Sequence, residues 1–432
     1  MLRTLGALAV FTCGIIGIWF MADTLFTSST GQAAPDDAFT QISGILSTAM
    51  MCFAILLAIR PTFLEPVFRG LDKMYRLHKW LGIGALITGV AHWLLKSGGG
   101  PGHDGAGQAA ASQTLIESLR GPAHGVAQPA MFVIFAFIAV ALITKIPYRI
   151  FAKTHYFIAV PFLVLAFHSV VLLKSSYWSQ PIGWLTLAFV AIGVLGTLMS
   201  ILGLIGFGRK ANAIVQSSIY YPELRVLEAN LKLDEKWQGH MPGQFAFITT
   251  DKKEGAHPFT IATAWNPKTA SIGFIAKELG DFTGNLRQQF ETGRTAKVEG
   301  PYGRFTFEDE KPLQIWIGAG VGIAPFVAHM RHLAIVPGKK RLYLFHSTVD
   351  VSDLALSKMK ADAKAANVEL HILISPRDGR LTTAKIQQAV PEWKQASVWF
   401  CGPSGFGASL KSDFMRGGLA YGDFHQEIFA MR

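Results

Sequence analysis

Six apolar runs fill the first half of the chain, at about residues 5–21, 42–59, 77–95, 129–144, 151–173 and 184–207. Runs of this length and composition suit helices that cross a hydrocarbon core about 30 Å thick. Beyond Arg209 the apolar residues instead alternate with polar ones in short stretches such as 225–231 and 244–248, punctuated by glycine and proline. That period belongs to half-buried strands. From about residue 313, strand-like runs at 313–317, 341–346, 368–375 and 397–401 alternate with helical stretches at 352–366 and 382–390. Such alternation predicts a parallel sheet with helices on its faces. The predicted architecture is an α-helical six-span membrane bundle over 1–212, a small β-barrel over 213–311 and an α/β domain over 312–432.

Composition agrees with a chain that is partly in lipid: 50% of its 432 residues are apolar and the mean hydropathy is +0.32, above the soluble norm. The net charge of +11 does not indicate nucleic-acid binding, because the cations gather beside apolar runs and form no continuous basic stripe. Arg60, Arg69, Lys73, Arg76 and Lys79 lie between the second and third runs; Lys145, Arg149 and Lys153 between the fourth and fifth; Arg209 and Lys210 close the sixth. The positive-inside rule makes these ends cytoplasmic, so both termini face the cytoplasm of a multi-pass protein in a cell (plasma or inner) membrane. On the other side the cations are few, chiefly Lys96, Arg120 and Lys174, and the Gly/Ala/Ser-rich stretch 97–128 reads as a flexible external loop. The first run also suits a cleaved signal peptide, since Arg3 precedes it and Met21-Ala22 follows. Of three cysteines, Cys13 and Cys52 lie inside apolar runs, which points to neither a disulfide framework nor a cysteine zinc site.

Four histidines stand at membrane depth: His78 and His92 on the third run, His155 and His168 on the fifth. A single such histidine is often a satisfied polar residue between helices, but ionisable groups there are costly and commonly functional. Separations of 14 and 13 residues correspond to about 21 and 20 Å along helix axes, which sets two levels within one bilayer. Both runs point outward, so His78 pairs with His155 near the inside and His92 with His168 near the outside. Imidazole is a common axial haem ligand, and each level can hold one iron. A proton relay is the alternative use of the same residues. A 13-residue step misses its starting face by about 140° at about 100° per residue, so the fifth helix has to bend, and Pro161 can kink it. Gly82, Gly84 and Gly89 either admit a porphyrin face or serve close helix packing.

The second half carries three further groups of residues. His257, Pro258, Phe259 and Thr260 form an extended segment that can offer an aromatic face, amides and a hydroxyl to a flat ring. Gly280 and Thr283 flank the opening of a short helix, whose amides suit a pyrophosphate, although Thr283 is also an ordinary N-cap. Gly318, Gly320, Gly322 and Pro325 form a strand-to-helix turn that lets a dinucleotide approach the backbone, and Cys401, Gly402 and Pro403 end the last predicted strand of the parallel sheet.

The pattern His-x13-His on one span and His-x12-His two spans later resembles the ferric reductase and NADPH oxidase transmembrane family, and all four positions match. The later motifs, in their order, resemble the FAD and NAD(P) domains of ferredoxin–NADP reductase-like proteins, including those oxidases. The resemblance covers nearly the whole chain. It implies two b-type haems held by His78, His92, His155 and His168, and an FAD-binding β-barrel followed by an NAD(P)-binding domain. It places His257, Pro258, Phe259 and Thr260 around the isoalloxazine with Thr260 near N5, and Lys277, Gly280 and Thr283 near the pyrophosphate. Cys401 would shape hydride transfer, or else be a buried strand cysteine, and Phe429 would cover the flavin. Arg377 is the candidate for the 2′-phosphate, so NADPH is the expected donor with NADH open; Val349 stands where many relatives have arginine. The function expected is electron transfer from cytosolic NAD(P)H to an external acceptor, dioxygen or a ferric chelate. Lys96, Arg120, Lys174, His103 and His124 could attract that acceptor or be solvated loop residues. A cytochrome-type donor to a partner protein or quinone is the alternative. Membrane lipid is the one other partner expected.

Overall fold

A computed structural model describes residues 2–25, 35–98, 115–143, 145–251, 255–278 and 283–427. The chain forms two compact units, one of residues 1–64 and 73–205, the other of residues 65–72 and 206–431.

The first unit is helical: α1 (Leu2–Leu25), α2 (Pro35–Ala58), α4 (Leu71–Gly98), α5 (Leu115–Leu142), α6 (Tyr148–Phe157), α7 (Ala159–Val171) and α8 (Pro181–Ile201), with the single turn α3 (Glu65–Phe68) assigned to the second unit. Among the described residues, five helical segments are long and apolar enough to cross a membrane: Leu5–Ala22, Ala38–Ala58, Leu115–Leu142, Ile150–Val171 and Pro181–Ile201. The expected third span, on α4, is a 28-residue helix that falls outside this set. Its lower apolarity has a direct cause, since Lys79, Trp80, His78 and His92 occupy the same stretch. Large apolar side chains face outward, among them Val10, Phe20, Ile87, Trp184 and Leu195, as lipid-facing positions should. Inside the unit, Ile45 and Ala49 pack with Tyr177 and Ile182, and Cys52 packs with Phe162, Ala166 and Val190.

One expectation changes here. Residues 115–128, read as part of an external loop, continue α5, which contains Pro122 and Pro129. In solvent those prolines would argue for a loop, but transmembrane helices tolerate them because neighbouring groups re-satisfy the freed backbone. The fifth span is interrupted at Ile158, between α6 and α7. The break lies just ahead of Pro161, whose ring clashes with the carbonyl four residues earlier and whose nitrogen has no hydrogen to donate there.

Among the described residues, the second unit holds two sheets. Strands β1 (Lys210–Tyr221), β2 (Val226–Leu233), β3 (Phe245–Thr249), β4 (His257–Thr260), β5 (Ser271–Lys277) and β6 (Thr295–Tyr302) form a six-stranded sheet of order β4-β3-β6-β1-β2-β5. Its edge strands meet at the single bridge Ile261–Phe274. Val215, Leu231, Ile248, Phe274, Phe290 and Val298 fill its interior, and the short helix α9 (Leu286–Gln289) follows β5. The remainder alternates β7 (Leu313–Ala319), α10 (Ala324–Leu333), β8 (Arg341–Thr348), α11 (Asp353–Ala365), β9 (Glu369–Ile374), α12 (Ser375–Asp378), α13 (Thr383–Ala389), β10 (Ala396–Cys401), α14 (Ser404–Arg416) and β11 (Phe424–Glu427). The sheet is parallel with order β11-β10-β7-β8-β9. Strand order therefore reverses at β7 and β10, and the crevice beyond their carboxyl ends is where such sheets bind nucleotides.

Candidate functional site

In the helical unit the structure joins the histidines as first with first and second with second. The ring centroids of His78 and His155 are 5.7 Å apart, and those of His92 and His168 are 6.3 Å apart. Three of the four rings are tethered through Nδ1: His78 donates to the Ala54 carbonyl at 2.8 Å, His92 to Thr40 at 2.9 Å and His168 to Ala123 at 3.1 Å. Carbonyls accept only, so each tether fixes the tautomer and leaves Nε2 with a free lone pair. Nδ1 of His155 is buried without a hydrogen-bond partner among the described residues, and its ring lies against Phe151. Of the three α4 glycines, Gly84 and Gly89 serve packing: an added Cβ would meet Met50 Sδ at 2.7 Å or Ser47 Oγ at 3.1 Å, whereas at Gly82 it would meet nothing within 4 Å. His124, expected in a loop, is on α5 with its ring 6.0 Å from that of His168. His103 lies outside the described residues.

In the second unit, β4 presents its residues alternately. Phe259 is buried and packs against Phe274 and Phe290. Thr260 is paired with Phe245 of β3, beside Tyr302, while His257 and Pro258 are half-buried. Lys277 ends β5. Gly280 lies outside the described residues, and so does the side chain of Thr283, whose backbone opens the turn Thr283–Asn285. Gly303 donates its backbone N–H to Glu65 at 2.6 Å. Burial raises the Glu65 pKa, although that N–H and the charges of Arg209 and Arg304 oppose the rise.

At the parallel sheet the glycines divide by role. A Cβ on Gly322 would meet the Cys401 carbonyl carbon and oxygen, so this glycine lets the turn lie against β10; Gly318 is crowded by Ile323 and Phe326. Gly320, at φ +54°, has open space around it. Pro325 opens α10 and is buried. Gly402 sits against Ala319, and Pro403 caps α14. Cys401 is fully buried and lies in register between Gly318 of β7 and Glu427 of β11. Burial, then the Glu427 carboxylate, raises its thiol well above the ordinary value, so it stays a thiol at neutral pH. Glu427 is itself buried and close to Gly303; sequence reasoning passes over it in favour of Phe429, which lies outside the described residues. The available signal is a carboxylate that ends the terminal strand Phe424–Glu427. Arg377, in α12, is exposed and forms a bidentate pair with Asp378, Nε to Oδ1 at 2.8 Å and Nη2 to Oδ2 at 2.9 Å.

Comparison with known proteins bears on both units. Residues 43–166 match the family described as ferric reductase like transmembrane component, and residues 212–306 match an FAD-binding domain. The first match includes His78, His92 and His155, and the second includes His257–Thr260 and Lys277. A superoxide-generating NADPH oxidase heavy chain of Dictyostelium discoideum is 28% identical over 210 residues, 43% of this chain and 28% of that one. The reductase component of propane 2-monooxygenase from Rhodococcus jostii is 23% identical over 179 residues, 38% and 48% of the two chains. The chain thus spans about half the length, or less, of these relatives. The flavohemoglobin structure from Malassezia yamatoensis, with bound FAD and heme, covers 91% of this chain and 97% of its own at 17% identity and a TM-score of 0.49.

Proposed function

We propose that this chain, which joins a ferric reductase like transmembrane component to an FAD-binding domain, is an NAD(P)H oxidase or ferric-chelate reductase that passes electrons across a membrane. In this reading α4 counts as a sixth span, the termini are cytoplasmic, and the acceptor outside is dioxygen, giving superoxide, or a ferric chelate, giving ferrous iron. FAD and two b-type haems would supply the conversion of a two-electron donor into single-electron steps.

The observation that carries the reading is the pair of histidine pairs. Two imidazoles on opposite faces of one metal, each about 2 Å from it, place their ring centroids about 6 Å apart; the distances found are 5.7 and 6.3 Å. His78 and His155 would hold the inner haem, His92 and His168 the outer. The backbone tethers of His78, His92 and His168 orient those rings and raise their basicity. Open space beside Gly82 suits a porphyrin edge.

For the soluble cofactors, Thr260 and Pro258 would border the flavin while Lys277 meets a pyrophosphate. The Gly320 turn would admit the dinucleotide at the strand-order reversal, with Arg377 for the 2′-phosphate of NADPH. Cys401, neutral and in register with Glu427, would shape the place where nicotinamide meets flavin. Haem extraction and visible spectroscopy of purified protein test the reading: two low-spin, bis-histidine haems per chain are expected. A chain with one haem, or a mainly high-spin resting spectrum, would remove the two-level arrangement.

A further inference from the structure

Within the second unit a cavity of about 100 Å³ is lined by Lys277, Gly320, Val321, His346, Thr348 and Ser352 among others. His346 is one strand beyond Gly318 on the side away from Cys401, because β7 pairs Gly318 with Cys401 on one flank and with His346 on the other. At about 4.8 Å per strand this places His346 about 10 Å from Cys401 across the sheet. A dinucleotide with its nicotinamide at Cys401 therefore brings its ribose and phosphate portion, and not its reactive ring, to His346.

The chemistry of that ring is fixed by its buried side. Nδ1 meets the Gly318 carbonyl at 3.1 Å, and since a carbonyl cannot donate, Nδ1 carries the hydrogen. Burial takes the imidazole pKa down to about 4, opposed by that same hydrogen bond, so the neutral ring presents a bare lone pair at Nε2. No hydrogen bond to Nε2 is found among the described residues, and His346 lines the cavity. A phosphate offers only acceptors and gains nothing there; it belongs with Lys277 or the amides of the Gly320 turn. A hydroxyl offers the required hydrogen.

We infer that His346 reads a ribose hydroxyl of the nicotinamide dinucleotide, accepting its hydrogen bond at Nε2. This rests on the nucleotide site proposed above and adds a binding residue on β8. Two substitutions separate this role from simple support of the glycine turn. His346→Asn can still donate to the Gly318 carbonyl but loses the acceptor facing the cavity; His346→Gln places an amide oxygen near the former Nε2 and gives up the inner donor.

Equilibrium binding of NAD⁺ and of NADP⁺ to FAD-loaded full-length protein, by calorimetry, is the measurement. His346→Asn should weaken binding about three- to tenfold, the worth of one neutral hydrogen bond, while His346→Gln stays within about twofold of the parent. Equal weakening for both dinucleotides identifies a hydroxyl that both carry, on the nicotinamide ribose or at the adenosine 3′ position; weakening confined to NAD⁺ identifies the adenosine 2′-hydroxyl, which NADP⁺ lacks. Parent-like binding by the Asn variant, or equal loss in both variants, overturns the inference and makes His346 a support for the turn. If the parent protein binds neither dinucleotide, the nucleotide site itself is wrong and this inference falls with it.

Discussion

Replacing His168 with leucine interrupts the proposed electron path at its outer end while leaving the second unit untouched. The parent ring is held by the Ala123 carbonyl at 3.1 Å and faces His92 at 6.3 Å between centroids; leucine keeps the bulk and removes the ligand. The inner pair lies about 20 Å away along the helices, so His78 and His155 should keep their haem, and the content should fall from two haems per chain to one. The β-sheet and nucleotide crevice belong to the other unit. Anaerobic NADPH should therefore still bleach the flavin band near ~450 nm at the parent rate and reduce the inner haem. Loss of an outer-shell partner alone costs 10–100-fold at metal sites, so loss of the ligand itself should lower reduction of a membrane-impermeant acceptor by at least about 100-fold. His155→Leu supplies the contrast: flavin reduction persists, but any retained outer haem stays oxidised. Normal external reduction in both variants would show that the histidine pairs are not the path. Loss of flavin reduction in either would show that the order of carriers is wrong.

Three further outcomes follow from the second unit. Arg377→Ala should raise KM for NADPH about tenfold and leave that for NADH nearly unchanged, because only NADPH offers a second anion to the guanidinium; equal effects in steady-state kinetics would remove Arg377 from the site. Glu427→Gln should slow stopped-flow flavin reduction about ten- to hundredfold with FAD content intact, if the carboxylate beside Cys401 aligns the reacting groups, and a parent-like rate would exclude it. Glu228 accepts hydrogen bonds from Tyr221 at 2.9 Å, Lys358 at 2.9 Å and Arg331 at 3.3 Å; burial alone would raise its pKa, but these partners bring it below the ordinary 4.5. Its stabilisation is therefore complete above pH 4.5 and lost as pH falls through the lower folded value. Glu228→Gln should accordingly lower the thermal midpoint of the full chain by a few degrees at pH 7, with the difference shrinking in acid; a constant difference across pH would contradict the linkage.

The amino-acid pattern alone specifies a helical membrane half, the change of character near Arg209, and the identity and pairing order of the four histidines, because periodicity and residue spacing are properties of the chain. It also locates the glycine turn and the Cys401 segment, whose signals are contiguous. It mistakes residues 115–128 for a loop, since Gly121, Pro122, Gly125 and Pro129 read as breakers in water, whereas membrane-spanning helices tolerate such residues. It names His257, Pro258, Phe259 and Thr260 as one contiguous segment, and only the register of β4 on β3 sets which residues of the sheet each lies beside. The division of the glycines between packing and open space, the carbonyl tethers behind three histidines, the Glu65–Gly303 contact, and the positions of Glu427 and His346 beside Cys401 and Gly318 belong to the tertiary structure. Each joins residues distant in sequence, and no local spacing encodes which backbone carbonyl will lie within reach of a given side chain.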